Sequence, residues 1–504
     1  MKLKTRVISN TIYLFSDWAI VSVISLLFWM VLSKLLIKEY VGTVATFQSL
    51  VVLISYFAMF GMDLTVLKMI PEYVAKKQNA HAYAVVKTAV KFLSVTLALI
   101  SAAFLIFLPQ LSAFLKMPPL AIILLILSII TLSFFGLLGT SLYGFMKTKK
   151  LVLTDITSAT LKLLFSVIFI YAGILFYGPM VGILLSSLIA FSLRAEIKFF
   201  KSKIKIPIKK MLYYSIPAIE AIIAYQIIIN SNYIILTVIQ DTAATGIFAV
   251  AMIISTTIAM IPNVLNSALF PVISGLSVDK NSESKSKESF FIAHVFRYSI
   301  FVTLPLAISL ILFARYAVLI FSKSEFLPAT PYFIFLVPAA FLLGTGKIFL
   351  NNLYAVGKFN TYKNIWIVSL IIFLPLAIIF TKYFSATGLS VVYLLTMMVL
   401  FILSYSELRK YIGIKLFYKD ILKVLLASLI ISIALFAVKP FIRDVFSLLL
   451  VFVPICILYL MLLYVMKFYR NSDVMILEFI AERVPKTRTI ILPITNFIKK
   501  TTKS

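Results

Sequence analysis

Cysteine is almost absent from this 504-residue chain, Cys456 being the only one. One thiol closes no disulfide within the chain and builds no thiolate metal cluster. Histidine is nearly as scarce. His81 and His294 lie far apart in sequence, which leaves little material for a zinc site or a histidine-dependent triad. Acids number 18 against 47 Lys and Arg. Long polar stretches are also lacking. The longest, Lys68–Lys87, Arg194–Lys210 and Ser277–Ser289, leave no room for a catalytic domain outside the apolar segments. Alternating apolar and polar residues are missing too, which excludes a transmembrane β-barrel.

Hydrocarbon is what the chain has in excess. Hydrophobic residues make up 62%, charged residues only 13%, and the mean hydropathy is +1.08. A soluble domain could not cover so much apolar surface. The hydrophobicity falls into about fourteen runs, each long enough for a helix to cross about 30 Å of hydrocarbon. They lie near 12–36, 41–63, 85–108, 120–143, 151–172, 174–193, 211–239 and 244–271. The rest lie near 292–320, 330–354, 362–384, 386–407, 421–438 and 445–466. The first run follows Met1-Lys-Leu-Lys-Thr-Arg6 as a signal peptide would, but it has no small-residue cleavage site and reads as a retained span.

The net charge of +29 lies in short loops, and alternate loops carry it. About 37 of the Lys and Arg residues fall on one side and about 8 on the other, the positive-inside pattern with both termini cytoplasmic. That charge serves orientation and contact with anionic lipid headgroups rather than nucleic acid. Lys162 and Lys347 fit neither side, because both lie inside apolar runs.

The two halves echo one another. Leu142-Tyr143-Gly-Phe-Met-Lys147 matches Leu353-Tyr354-Ala-Val-Gly-Lys358, Gly42-Thr-Val-Ala45 matches Gly246-Ile-Phe-Ala249, and Ile70-Pro71 matches Phe270-Pro271. The copies are six spans apart and so share one orientation. This predicts an all-α membrane protein with two parallel six-helix lobes, at 1–200 and 201–415, and a cavity between them. An accessory helix pair at 416–469 and a tail at 470–504 follow. Ser472–Arg483 could form a surface helix, with disorder beyond Pro485 the alternative.

Gly61-Met-Asp63-Leu-Thr-Val-Leu-Lys68-Met-Ile-Pro71-Glu72-Tyr73 resembles the signature of the prokaryotic polysaccharide flippases. These belong to the multidrug/oligosaccharidyl-lipid/polysaccharide exporter superfamily. Leu269-Phe270-Pro271-Val-Ile-Ser274, Phe321 to Pro331 and Gly357-Lys358 resemble other parts of that family. One departure is Asn230-Ser-Asn232, where the family often has an Asp. The resemblance implies translocation of a polyprenyl-(pyro)phosphate-linked oligosaccharide across the cytoplasmic membrane, without enzymatic chemistry. It also implies contact with membrane lipids and with a glycosyltransferase or polymerase of the same pathway. The expected form is a monomer without a cofactor, with H⁺ or Na⁺ as the coupling ion to consider.

Ionisable groups inside the bilayer are expensive, so those present are functional candidates. Lys162 and Lys347 would meet the substrate headgroup, with Gln226 and Asn230 lining a cavity for sugar hydroxyls. Asp17, Glu220 and Asp155 would couple or gate. Asp63, Lys68, Pro71 and Glu72 would form the cytoplasmic rim. The bland alternatives are a helix-end ion pair for Asp63 and Lys68, and buried ion pairs of Lys162 with Asp17 or Asp155 and of Lys347 with Glu220. Trp18, Trp29 and Trp366 read as packing or interfacial residues. Gly344-Thr-Gly346-Lys347 looks like part of a phosphate loop, but Phe341 and Ile348 break the pattern inside a span. Rival readings are a drug/cation antiporter, which would favour an acidic and aromatic cavity without lysines, a membrane-embedded polymerase, and a non-transporting scaffold.

Overall fold

The computed structural model describes residues 2–196, 199, 202–277, 282–438, 445–470 and 473, with α1 side chains from Ser16 onward. Apolar runs this long have one way to satisfy their backbone in hydrocarbon, the internal hydrogen bonds of a helix. Accordingly the described residues are helical and contain no strand.

The first helices are α1 (Lys2–Leu35), α2 (Lys38–Met59), α3 (Met62–Ala75), α4 (Asn79–Ile106) and the short α5 (Leu108–Leu115). Next come α6 (Pro119–Gly144), α7 (Thr148–Phe169) and α8 (Tyr177–Arg194). The second half contains α9 (Ile208–Ile239), α10 (Thr242–Leu276), α11 (Ser282–Leu312), the short α12 (Ala314–Phe321) and α13 (Phe333–Ala355). It ends with α14 (Phe359–Ile412), α15 (Tyr418–Val438) and α16 (Val445–Val465). Among the described residues, 12 helices are long and apolar enough to cross a membrane. The chain is a multi-pass membrane protein.

Helix α14 is 54 residues long, which would span about 80 Å if straight. Its ends instead meet: the Lys358 ammonium lies 4.1 Å from the Tyr411 ring centre, and the Thr361 and Tyr411 hydroxyls are 3.4 Å apart. The chain reverses at Ser385 (φ 52°), so α14 is a hairpin of two antiparallel arms.

The repeat seen in the sequence recurs in the backbone. Met146 and Gly357, the paired positions of the Leu-Tyr motif, both take left-handed conformations after α6 and α13. Leu175 (φ 48°, ψ −127°) turns between α7 and α8 much as Ser385 (φ 52°, ψ −141°) turns inside α14. The eight-residue helices α5 and α12 occupy equivalent places. Gly42 and Gly246 mark where α2 crosses α10. A Cβ on Gly42 would lie 1.8 Å from the Thr242 carbonyl, and one on Gly246 1.9 Å from the Lys38 carbonyl. Only glycine lets the two backbones come so close.

Two expectations change. The run near 41–63 ends earlier, at Met59, and after a left-handed break at Phe60 and Gly61 the chain resumes as α3, with Pro71 inside it. The polar stretch Lys68–Lys87 therefore contracts to a short turn before α4. The proposed tail helix after Ser472 and residues 278–281 lie outside the described residues, and the rest of the polar stretch Ser277–Ser289 is not a linker but the opening of α11 from Ser282.

Candidate functional site

Residues Trp18, Ser22, Ser25 and Trp29 recur every three or four positions and so share one face of α1. That face, with Asp17, borders a cavity of about 480 Å³. Asp155 of α7 forms part of the wall, and Thr256, Thr257 and Met260 of α10 complete it. The cavity thus lies between helices from the two halves of the chain, at the level where the sequence places its buried acids.

Asp155 is not paired with Lys162. Its Oδ1 accepts from the Arg194 guanidinium at 2.7 Å, and Arg194 is 2% exposed. Arg194 also donates to Thr154 Oγ1 at 2.8 Å and to the Phe135 carbonyl at 2.8 Å, and its guanidinium stacks 3.6 Å from the Phe135 ring. Gly139 leaves the slot, since a Cβ there would lie 2.3 Å from Arg194 Nη1. Asp17 Oδ1 is buried with no hydrogen-bond partner among the described residues, within electrostatic reach of Asp155 and Arg194. Two acids and one arginine therefore stand at this end of the cavity.

The two intramembrane lysines are placed alike. Lys162 Nζ sits 4.4 Å from the Phe28 ring centre, and Phe28 packs edge-on against Trp29 at 5.3 Å. Lys347 Nζ sits 4.4 Å from the Tyr225 ring centre and 3.2 Å from its hydroxyl. Neither borders the cavity described above. Glu220 pairs with Lys363 at 2.9 Å, not with Lys347. Gln226 and Asn230 are buried and bond each other, Asn230 Nδ2 donating to Gln226 Oε1 at 2.8 Å. Of the residues expected around the headgroup, the structure brings Gln226 and Asn230 together and sets Lys162 and Lys347 over separate aromatic rings. Helix-face spacing shows which residues share a face but not which neighbouring helix supplies the partner.

Of the residues expected at the rim, Asp63 lies in the first turn of α3 and Glu72 is exposed near its end. Thr65 Oγ1 donates to the Met211 carbonyl of α9 at 3.0 Å, joining α3 to the second half. The glycines of the phosphate-loop look-alike serve helix packing. Gly344 lies against Ala259 of α10 and Gly346 against Phe401 of α14.

Arg194 is the residue that sequence reasoning misses, because its place in the chain reads as part of the cytoplasmic basic loop. Trp29 packs on the core as expected, and both it and Trp18 also border the cavity. Their signal is present in the three- and four-residue spacing with Ser22 and Ser25.

Among solved structures, the chain is similar to the lipid II flippase MurJ in an inward closed conformation. Identity is 17% and the TM-score 0.71, over 90% of this chain and 98% of that one. It is also similar to an inward-facing multidrug resistance MATE family transporter of the MOP superfamily, at 15% identity and TM-score 0.65, over 80% and 94%. The Vibrio cholerae MATE transporter VcmN in the bent form matches at 14% identity and TM-score 0.54, over 81% and 98%. These likenesses establish the fold. No curated protein sequence matches. Residues 31–331 match the family model described as polysaccharide biosynthesis protein, and the chain belongs to that family.

Proposed function

We propose that this protein is a flippase that moves a polyprenyl-(pyro)phosphate-linked oligosaccharide across the cytoplasmic membrane by alternating access. In this reading the chain makes fourteen crossings, with both termini cytoplasmic, in two parallel six-helix lobes and an accessory pair. Asp17 and Asp155 are its coupling carboxylates, with H⁺ or Na⁺ as the ion, and no bond in the substrate is broken. The observation that carries the reading is the cavity shared by α1, α7 and α10, in a chain of the polysaccharide biosynthesis family.

Its closure favours an inward-facing form. The outer ends of α2 and α10 touch at Gly42 and Gly246, so a headgroup enters from the cytoplasmic side and its lipid tail stays in the bilayer beside α1. Lys162 stands over the Phe28 ring and Lys347 over Tyr225 and against its hydroxyl, with no carboxylate partner among the described residues. They would meet phosphate as the lobes rearrange, and single lysines release an anion more readily than an arginine cage does.

A cation antiporter is the second reading, and one observation favours it: the cavity wall has two carboxylates and two indoles but no lysine. The test is surface glycan display in cells that depend on this chain. Lys162→Ala combined with Lys347→Ala should reduce display at least about tenfold, a barrier change near 1.4 kcal/mol. Unchanged display at equal membrane level would remove the cationic contact, and failure of the wild type to support display would remove the flippase.

A further inference from the structure

We infer that the face of α1 bearing Trp18, Ser22, Ser25 and Trp29 is a saccharide subsite that holds a sugar ring against its two indoles. A pyranose has an apolar face of C–H groups and a rim of hydroxyls, so it needs a flat aromatic surface and acceptors around it. Both are present. Trp18 is 38% exposed and, with Trp29, borders a cavity of about 480 Å³.

Acceptors surround the indoles. Thr256 and Thr257 donate their hydroxyl protons to the carbonyls of Ile253 and Ile254, at 2.9 and 2.7 Å, so each meets a ligand as an acceptor. Asp17 Oδ1 has no hydrogen-bond partner among the described residues, and Asp155 keeps an oxygen beyond the one that Arg194 engages. Arg194 offsets one of the two negative charges, which weakens the site for an organic cation and leaves its acceptors in place. A phosphate fits badly beside two carboxylates. The headgroup is therefore divided: sugar on the α1 face, phosphate toward Lys162, whose ammonium stands over Phe28, the ring that packs edge-on against Trp29.

This inference rests on the flippase reading, so its test carries a separate control. The chain has three tryptophans, and the third, Trp366, is 1% exposed. Iodide quenching of the detergent-solubilised full chain therefore reports on Trp18 and Trp29. Three additions are compared: the lipid-linked saccharide fraction extracted from the source cells, the same fraction stripped of sugar by mild acid, and tetraphenylphosphonium. Protection by the intact fraction alone is the expected result. In cells whose surface glycan the wild type restores, Trp18→Ala with Trp29→Ala should lower display about a hundredfold, on the order of tenfold per indole. The Trp18→Phe, Trp29→Phe pair should recover most of it, which a folding defect would not predict for equal membrane levels. Equal protection by the stripped fraction, protection by tetraphenylphosphonium, or no protection by any of them would overturn the subsite. So would full display from the double alanine variant. Failure of the wild type to restore display would instead count against the flippase reading itself.

Discussion

Arg194 and its slot hold the most demanding interaction at the residue scale. A guanidinium 2% exposed and bound to Asp155, Thr154 and the Phe135 carbonyl is stable only while its partners remain. Removing one member of a buried pair leaves the other charged and unpaired, at about 3–5 kcal/mol. Arg194→Gln should therefore lower the thermal midpoint in detergent well beyond any effect of Lys162→Gln. Gly139→Ala should behave like Arg194→Gln, because its methyl group would occupy the place of Nη1. A Gly139→Ala protein as stable as wild type would mean that the slot is looser than its geometry. The sequence makes Asp17 and Asp155 conspicuous, since acids inside apolar runs are costly. It hides Arg194, because a long side chain at a helix end reads as one more loop cation until a neighbouring helix is seen to receive it.

At the scale of elements, the two halves hold each other on the side where Gly42 meets Gly246. Lys116, after α5, donates to the Gln240 carbonyl at the end of α9 at 2.5 Å. Lys323, after α12, donates to the Leu35 carbonyl at the end of α1 at 3.4 Å. Each ammonium thus stands at the negative end of the first helix of the opposite half, a placement worth about 0.3–1 kcal/mol at an exposed site. Lys116→Ala with Lys323→Ala should shift the population toward outward opening. Spin labels at Lys34 and Lys382, with Cys456→Ser, should then report longer distances. Unchanged distances would mean that the glycine crossing alone closes this side.

On the opposite side, the connection from α8 to α9 is fastened rather than loose. Lys147 and Lys150 bind Glu196, Phe199 stacks on Phe145 at 5.7 Å, and Lys87 donates to the Ser202 carbonyl at 2.8 Å. Burial raises the Glu196 carboxyl, but hydrogen bonds from Lys147 and Lys150 win and hold it below its ordinary 4.5. A lowered carboxyl stabilises above its unfolded value and loses that contribution as pH falls through the folded one. Wild type should therefore lose more thermal stability than Glu196→Gln between about pH 5 and about pH 3. Equal losses would remove Glu196 as a fastener. Positive-inside counting locates this segment but not its attachments, because composition is blind to which helix ends meet.

For the whole molecule, apolar runs and their charge asymmetry make the helical membrane fold readable, and three short echoes reveal the repeat. The reversal at Ser385 is legible as well, since the runs near 362–384 and 386–407 part there, whereas the α2–α3 break and the indoles at the cavity depend on contacts between distant segments. On the reading proposed above, this fold carries a lipid-linked saccharide. The most direct measurement is translocation in liposomes containing the purified chain and the extracted lipid-linked saccharide fraction, read by access of an external sugar-oxidising enzyme. Saccharide placed in the inner leaflet should become accessible faster than in protein-free liposomes, and Trp18→Ala with Trp29→Ala should slow this. Uptake or release of a cationic dye, with saccharide accessibility no faster than in protein-free liposomes, would contradict that reading.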